Sequence, residues 1–267
     1  MKPLLFASTV VLLFCSAALA QTQPPPQVSA DCAEAAVIKK SLDTAQARLK
    51  DWPNLNRYRS ANSELAAPGK DETRVVFMGD SITDIWNRPG FGGFFPGKPY
   101  VDRGISGQTT PQMLVRFRPD VIALKPKVVV ILAGTNDIAG NTGPMPISAI
   151  EDNLASMAEL ARANGIRVVL ASLLPVSDYG KDKEGKQIFM TKGRPPEMIL
   201  TLNAWIKKYT EENDCVYLDY FSATVDDKGF LKSDISEDGL HPNAKGYAIM
   251  TPLAEAAIAK ALATKSR

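Results

Sequence analysis

A serine, a histidine and an aspartate in this chain have the types and the spacing that nucleophilic catalysis requires. The 267-residue chain has one histidine, His241, and Asp238 precedes it by three residues, so a turn can bring the carboxylate to the imidazole ring. A serine hydroxyl becomes nucleophilic when a base takes its proton, and the base needs a carboxylate that fixes its tautomer. Ser81 can supply the hydroxyl, although capping the helix after the first strand is an alternative role for it. The sequence predicts that Ser81 attacks, His241 carries the proton and Asp238 orients the ring.

Attack on an ester also creates an oxyanion, which needs hydrogen-bond donors that are in place before the reaction. The donors that we expect are the backbone N–H groups of Ser81 and Gly107 and the side-chain amide of Asn136. Gly107 lies in Gly-Ile-Ser-Gly-Gln-Thr at 104–109, and Asn136 lies in Gly-Thr-Asn-Asp at 134–137. A glycine suits a turn at which the backbone approaches a substrate. Ordinary turn chemistry or bracing of the loop is the alternative for the Asn-Asp pair.

Short β-branched runs alternate with longer helical patterns from residue 74 onward. The runs that predict strands lie at 75–77, 100–101, 128–132, 168–171 and 216–218. The helical patterns lie near 110–117, 147–164, 195–213 and 243–262. Strands that are buried on both faces read as continuous apolar runs, and a crossover helix between two strands makes them parallel. We therefore predict an α/β fold, a three-layer α/β/α sandwich around a parallel sheet of about five strands.

Ligands of open parallel sheets bind outside the carboxyl ends of the strands. The segments with the candidate residues follow predicted strands or precede the last helix, so this fold brings them to one edge. Two further segments, a polar Gly- and Pro-containing loop at 173–196 and a stretch at 89–99, could form walls of the site or be idle surface insertions. The side chains expected to contact the substrate are Asp80, Ile138, Tyr179 and Leu240. Trp86 and Tyr179 could stack on a sugar, but packing is the commoner role of such rings.

The composition excludes several other classes of protein. Lysine and arginine total 31 and aspartate and glutamate 29, for a formal net charge of +2. The chain has no long basic run and therefore lacks the charge pattern of a nucleic-acid binder. One histidine and three widely spaced cysteines cannot form a multi-histidine zinc site or a zinc knuckle. The segment 92–98 has the length of a phosphate-binding loop, but Pro99 replaces the Ser or Thr that binds magnesium.

The first fifty residues predict export. Residues 1–20 begin with a lone lysine, run largely apolar and end in Ala-Leu-Ala, which is the pattern of a cleaved signal peptide. The apolar stretch is too short to span a bilayer, so we expect no integral membrane segment in the mature chain. Residues 21–29, with three consecutive prolines, predict an extended tether. Apolar spacing at 30–50 predicts a helix that packs on a single domain running from residue 30 to residue 267.

The cysteines bear on localisation and on cross-linking. A cysteine that receives a lipid usually follows a small residue, whereas Cys15 follows Phe14. The sequence therefore favours a periplasmic or extracellular protein over a lipid-anchored one. Cys32 and Cys215 would remain in the mature chain and meet an oxidising compartment, where one disulfide is permitted but not required. Whether they pair stays open, because pairing needs Cα atoms within about 7 Å.

The segments that carry the candidate residues resemble, in order, the motifs of the SGNH or GDSL hydrolases, a family of esterases, lipases and carbohydrate acetyl esterases. The family motifs are matched by Gly-Asp-Ser-Ile at 79–82, Gly107, Gly-Thr-Asn-Asp at 134–137 and Asp-Gly-Leu-His-Pro at 238–242. The resemblance covers the chain from about residue 74 to the last helix. It implies a flavodoxin-like sandwich and catalysis of short acyl ester hydrolysis without a metal or organic cofactor. The second motif often begins with Asn, but this chain has Asp-Arg-Gly at 102–104, which leaves Gly104 open as an alternative donor to Gly107.

We therefore expect an exported serine esterase that removes a short acyl group, first of all acetyl, from a carbohydrate or related polyol ester. The expected partner is this small-molecule or glycan acyl ester, with no role for nucleic acid. An acyltransferase and a lysophospholipase or other acylhydrolase are alternatives that use the same triad. A glycan-binding module without catalysis is a further alternative. Capture of the acyl group by an added alcohol would distinguish the transferase, and failure of an organophosphonate to label Ser81 would distinguish the binding module.

Overall fold

The computed structural model describes residues 28–264 and contains one five-stranded sheet. Its strands are β1 (Val75–Gly79), β2 (Tyr100–Gly104), β3 (Val128–Leu132), β4 (Arg167–Ala171) and β5 (Val216–Leu218). Their order is β2-β1-β3-β4-β5, and each neighbouring pair is parallel. This order is the one found in flavodoxin-like doubly wound sheets. The prediction of a five-stranded parallel sheet in a three-layer α/β sandwich is confirmed.

Helices precede, connect and follow the strands. They are α1 (Val28–Lys50), α2 (Arg59–Glu64), α3 (Ser81–Trp86), α4 (Thr110–Asp120), α5 (Thr135–Ile138), α6 (Ile147–Ala163), α7 (Met190–Gly193), α8 (Pro196–Glu212), α9 (Phe221–Thr224) and α10 (Ala244–Ala263). The four long helices that follow β2 agree with the helical patterns of the sequence to within three residues at each end. The short helices α5, α7 and α9 were not predicted individually, because a single turn is too short to show a helical period.

The sheet is buried on both faces, and β1 illustrates why. Val76 and Met78 belong to an apolar cluster that includes residues of α4, α6 and α8. Val75 and Phe77 belong to a second cluster that includes residues of α3 and α10. Successive side chains of a strand point to opposite faces, so a strand between two helical layers needs apolar residues at every position. The continuous apolar runs in the sequence have this origin.

The stretch at 89–99 anchors itself in the second apolar cluster. Phe95 is 3% exposed, and its ring centroid lies 5.0 Å from that of Trp86 and 4.9 Å from that of Phe77. Trp86 is itself only 2% exposed. Packing is therefore the role of Trp86, and stacking of this ring on a sugar is excluded.

The chain divides into two compact units, Met1–Ala47 and Arg48–Arg267. Most of α1 belongs to the first unit. This helix forms where the sequence predicts one, and Val37 and Ile38 on it are more than half exposed. That this helix packs on the domain stays a prediction. The proposed signal peptide at 1–20, Cys15 and the first seven residues of the predicted tether lie outside the described residues.

Two further predictions concern membrane contact and cross-linking. Among the helices of residues 28–264, none has the length and apolar character needed to cross a membrane. The side chain of Cys32 lies outside the described part of the structure, so its pairing with Cys215 stays open.

Candidate active site

Ser81, His241 and Asp238 form one line of hydrogen bonds. Oγ of Ser81 lies 2.9 Å from Nε2 of His241, and Nδ1 of the same ring lies 2.6 Å from Oδ2 of Asp238. When Nδ1 carries the proton and donates a hydrogen bond to the carboxylate, Nε2 is free to accept the serine proton. The fold thus brings together, in the expected order, the three residues selected from the sequence. This is the arrangement of a nucleophile, a base and the carboxylate that orients the base.

The turn that carries Asp238 holds its carboxylate in place through the backbone. Oδ1 of Asp238 accepts hydrogen bonds from the N–H groups of Leu240 at 2.9 Å and His241 at 2.8 Å. Burial raises the pKa of Asp238, but the hydrogen bonds from His241 and Leu240 outweigh burial and hold the pKa well below its usual value. Asp238 is therefore ionised at neutral pH and can stabilise an imidazolium.

The helix that begins at Ser81 is capped by its neighbour. Asp80 is the N-cap of α3, and its Oδ1 accepts the N–H of Ile82 at 3.0 Å. The alternative in which Ser81 caps this helix is therefore wrong. Because Asp80 takes that role, the hydroxyl of Ser81 is left for His241 at the carboxyl end of β1.

Asp80 is fully buried and also reaches the third motif. Its Oδ2 accepts from Nδ2 of Asn136 at 3.3 Å. Burial raises the pKa of Asp80 to about 6, against the opposing effects of the Ile82 N–H bond and the charge of Arg194. The side chain of Asp80 has no exposed surface and links the nucleophile segment to Asn136. Substrate contact by Asp80 stays a prediction.

The two glycines that could donate to the oxyanion differ in how their N–H groups are used. The N–H of Gly104 donates to Oδ1 of Asp102 at 2.7 Å. No acceptor within residues 28–264 pairs with the N–H of Gly107 or with that of Ser81. Gly107 has φ of +80°, a conformation that favours glycine. A Cβ on Gly104 would lie 2.2 Å from the backbone nitrogen of Asp84, so this glycine serves close packing against α3.

The amide of Asn136 has a defined orientation. Its Nδ2 donates to the carbonyl of Gln108 at 3.0 Å, and its Oδ1 accepts from Nη2 of Arg194 at 3.3 Å. A guanidinium only donates, so the amide oxygen must face Arg194 and the NH₂ must face the other way. The donors of Asn136 therefore point toward Asp80 and the Gln108 carbonyl. The sequence analysis did not select Arg194, whose only signal was its place in the loop at 173–196.

Two buried charged residues brace the loops of the site. Asp137 accepts from the backbone N–H of Thr110 at 2.9 Å and from its hydroxyl, so it braces the start of α4. Arg116 is fully buried, and it donates to the carbonyl of Gly79 at 3.1 Å and to the side chain of Gln108. It joins the end of β1 to the turn that contains Gly107. No motif in the sequence singled out Arg116.

The long loop after β4 packs against the turn that carries Asp238. The N–H of Ser177 donates to the carbonyl of Gly239 at 2.8 Å. A Cβ on Gly239 would lie 2.1 Å from the carbonyl oxygen of Ser177, and one on Gly180 would lie 2.3 Å from that of Asp238. Only glycines permit an approach this close. The loop at 173–196 therefore packs on the site. This agrees with the alternative in which the loop forms a wall of the site rather than an idle surface insertion.

The remaining candidates for substrate contact lie around the triad with different exposure. The hydroxyl of Tyr179 donates to the carbonyl of Lys232 at 3.0 Å, and Ile138 is partly buried against the first apolar cluster. Leu240 is 7% exposed and, with Asp80, lines a void of about 10 Å³. Substrate contact by Ile138, Tyr179 and Leu240 stays a prediction.

Two larger cavities lie away from the triad. One of about 610 Å³ is at the amino ends of β4 and β5, where Arg167 and Val216 line it. Another of about 590 Å³ is lined by residues of α2, α3 and β2, including Asp84 and Arg103, and by Arg88 just after α3. Neither contains a residue of the triad. Within the described residues, no group of three or more His, Cys, Asp and Glu side chains could hold a metal ion.

Comparison with known proteins agrees with this geometry. The model of the GDSL-like lipase/acylhydrolase family matches residues 77–249. The structure of a GDSL-like lipase from Bacteroides thetaiotaomicron is 44% identical, with a TM-score of 0.71, and the match covers 79% of this chain and all of that one.

Two curated relatives match over shorter segments. Esterase TesA of Pseudomonas aeruginosa is 40% identical over 80 residues, which are 30% of this chain and 38% of TesA. The uncharacterized lipoprotein YqeF of Bacillus subtilis is 37% identical over 79 residues, 28% of this chain and 32% of YqeF. The chain thus spans about a third of the length of these curated relatives. The family model covers well over half of the chain and includes Ser81, Asn136 and His241. The chain belongs to the GDSL-like lipase/acylhydrolase family, a family of ester hydrolases.

Proposed function

We propose that the protein is a serine esterase that hydrolyses short-chain acyl esters, above all acetyl esters, through a covalent acyl-enzyme. The observation that carries this proposal is the line of hydrogen bonds from Ser81 through His241 to Asp238, at 2.9 and 2.6 Å. Membership of a family of ester hydrolases supports the same reaction class. The geometry supplies a nucleophile, a base and an orienting carboxylate.

The reaction has two halves. Oγ of Ser81 attacks the ester carbonyl carbon while Nε2 of His241 takes the hydroxyl proton, and ionised Asp238 stabilises the imidazolium. The tetrahedral intermediate then breaks its bond to the alcohol, which leaves with the proton from Nε2. Water attacks the acyl-enzyme with His241 again as base. This second half releases the carboxylic acid and restores the hydroxyl of Ser81.

The oxyanion of each tetrahedral intermediate is held by the N–H groups of Ser81 and Gly107 and by Nδ2 of Asn136. The two backbone N–H groups have no acceptor within the described chain, which supports this role. The bond from Asn136 to Asp80 is 3.3 Å long, which is weak for an N–H donor to a carboxylate. An oxyanion can therefore compete for that N–H.

The polarity of the site supports a polar alcohol as the leaving group. The void lined by Asp80 and Leu240 measures about 10 Å³ and includes no residue of the triad, so the preference for acetyl over longer acyl groups is a proposal that the acyl-length series below tests. The loop at 173–196 beside the Asp238 turn is polar, which favours a carbohydrate or related polyol as the leaving group. The signal pattern at 1–20 supports an enzyme that acts in the periplasm or outside the cell.

The test compares wild-type protein with Ser81→Ala on p-nitrophenyl esters from acetate to octanoate, followed by acetylated polysaccharides. We expect wild-type turnover to be highest with acetate and Ser81→Ala to be inactive, with an unchanged melting temperature as evidence that the variant folds. Turnover of the purified Ser81→Ala protein at the wild-type rate would refute the mechanism. A maximum at octanoate would refute the short-chain assignment.

A further inference from the structure

The loop at 173–196 ends in Arg194, a cation without a carboxylate partner among the described residues. Arg194 lies between α7 and Pro195, and Pro196 begins α8, so two prolines restrict the backbone that follows it. Its Nη2 donates to Oδ1 of Asn136 at 3.3 Å and its Nη1 lies 3.9 Å from Sδ of Met190. Its Nε is buried and meets no acceptor in the described part of the chain.

A cation kept for stability alone would be expected to have a counter-charge. Arg116 is such a case, because it pairs with Asp120 at 3.0 Å in the interior. Arg194 is half-buried and makes no ion pair within 4 Å among the residues that the structure describes. Burial lowers the pKa of Arg194 and attraction to Asp80 and Asp238 opposes that shift, yet arginine stays charged in proteins. The oxygen acceptor that it reaches is Oδ1 of Asn136, which belongs to a neutral amide of the active site.

The contact with Asn136 has one clear consequence. An amide can rotate its oxygen and nitrogen into each other's places, and a donor-only partner at the oxygen fixes which of them faces the reaction. The Gln108 carbonyl and Asp80 hold the Nδ2 end of the amide at 3.0 and 3.3 Å, and Arg194 holds its oxygen end. Without Arg194 the oxygen would lose that contact, and the amide would be freer to move its N–H away from the oxyanion. The positive charge behind Asn136 also polarises the amide, so its N–H becomes a stronger donor.

We propose that Arg194 is a positioning residue for ester hydrolysis, which holds the amide of Asn136 with its N–H toward the oxyanion and lends positive charge to that side of the site. The inference rests on the proposed function, because it assumes that Asn136 serves an oxyanion. The effect belongs to the transition state, so it falls on kcat rather than on KM.

The test is a double-mutant cycle. Arg194→Met should lower kcat for p-nitrophenyl acetate by about 10- to 100-fold with little change in KM, since small misplacements of a catalytic group cost up to about that factor. Arg194→Lys keeps the charge and should recover part of the loss. In the Asn136→Ala background, Arg194→Met should have little further effect, because residues that act through one contact are not additive. Lys192→Met, an exposed cation of the same segment, is the matched control and should leave kcat unchanged.

A purely structural role predicts a different pattern. Arg194→Met would then lower kcat by the same factor with and without Asn136, or lower the melting temperature alone, and either result would overturn the proposal. A second measurement does not depend on turnover. The side-chain amide NMR signals of Asn136, assigned by their loss in Asn136→Ala, should shift in Arg194→Met and not in Lys192→Met. If wild-type protein hydrolyses no ester, the proposed function fails, and unshifted Asn136 signals would separately refute the contact.

Discussion

The charges of single residues set the reactivity of the site. The triad could be predicted from the sequence, because the chain has one histidine and Asp238 lies only three residues before it. Arg194 and Arg116 could not be predicted. Arg194 contacts Asn136 across 58 positions of the chain and Arg116 contacts Gly79 across 37, so only the fold brings these pairs together.

Replacing Asn136 tests the oxyanion role directly. Asn136→Ala should lower kcat by about 10² to 10³, which is the usual cost of losing one oxyanion donor, and should leave KM nearly unchanged. Steady-state kinetics with p-nitrophenyl acetate provide the measurement. Asn164→Ala, an exposed asparagine at the end of α6, is the control. A raised KM with unchanged kcat would assign Asn136 to substrate binding instead.

Asp80 predicts a change of stability with pH. Its folded pKa is raised to about 6, whereas an unfolded aspartate titrates near about 3.9. The unfolded state therefore loses this proton first, so the contribution of Asp80 to stability is complete below about pH 4 and is lost as the pH rises through about 6. At about 1.4 kcal/mol per unit, the loss is at most about 3 kcal/mol.

The variant Asp80→Asn separates this contribution, because asparagine is also a good N-cap and does not ionise. The melting temperature of the variant minus that of the wild type should rise between about pH 4 and about pH 7. Thermal unfolding at a series of pH values measures it. A difference that stays constant over this range would show that Asp80 does not titrate as its burial implies.

Among the elements of the fold, the loop after β4 and the turn before α10 act together. The sequence identified the loop by its length, its polarity and its place after a strand. It did not predict where the loop packs, because the approach depends on the backbone of two glycines, Gly180 and Gly239, rather than on a side-chain pattern. The sequence analysis also missed Asp80 as the cap of α3. Asp and Ser both cap helices well, so residue type alone did not distinguish Asp80 from Ser81.

Gly180→Ala tests the packing of this loop. A Cβ at Gly180 would lie 2.3 Å from the carbonyl oxygen of Asp238, so the loop and the turn must separate. We expect a loss of about 1 to 3 kcal/mol in the free energy of unfolding and a lower kcat, because Asp238 shifts relative to His241. Gly193→Ala in the same loop meets no atom within 4 Å and is the control. Wild-type kcat in Gly180→Ala would contradict the close packing.

For the molecule as a whole, the strand order decides where the site lies. The chain reverses its direction of winding between β1 and β3, and ligand sites of open α/β sheets lie at such a point. Ser81 follows β1 and Asn136 lies just after β3, so both reach it. The apolar runs in the sequence predicted the strands but not their order, because a fully buried strand carries no mark of its neighbours.

The second compact unit should retain the activity by itself. A chain that begins at Arg48 keeps the carbonyls of Trp52 and Pro53, which accept from Gln112 and Gln108 at 2.7 Å. A chain that begins at Arg59 loses both bonds. We expect the first to match the wild-type melting temperature and kcat, and the second to be less active because the Gly107 turn loses support. Equal activity of the two chains would show that residues 48–58 do not support the site.

The central claim is that Ser81, activated by His241, forms a covalent acyl-enzyme. Mass spectrometry of the intact protein after treatment with a p-nitrophenyl alkylphosphonate tests it most directly, since the reagent stops at a stable adduct of the nucleophile. The account predicts one adduct on the wild type, located at Ser81 by peptide mapping, none on Ser81→Ala, and greatly slowed labelling of His241→Ala. Equal labelling of Ser81→Ala and wild type, or no labelling of a wild type that hydrolyses p-nitrophenyl acetate, would contradict it.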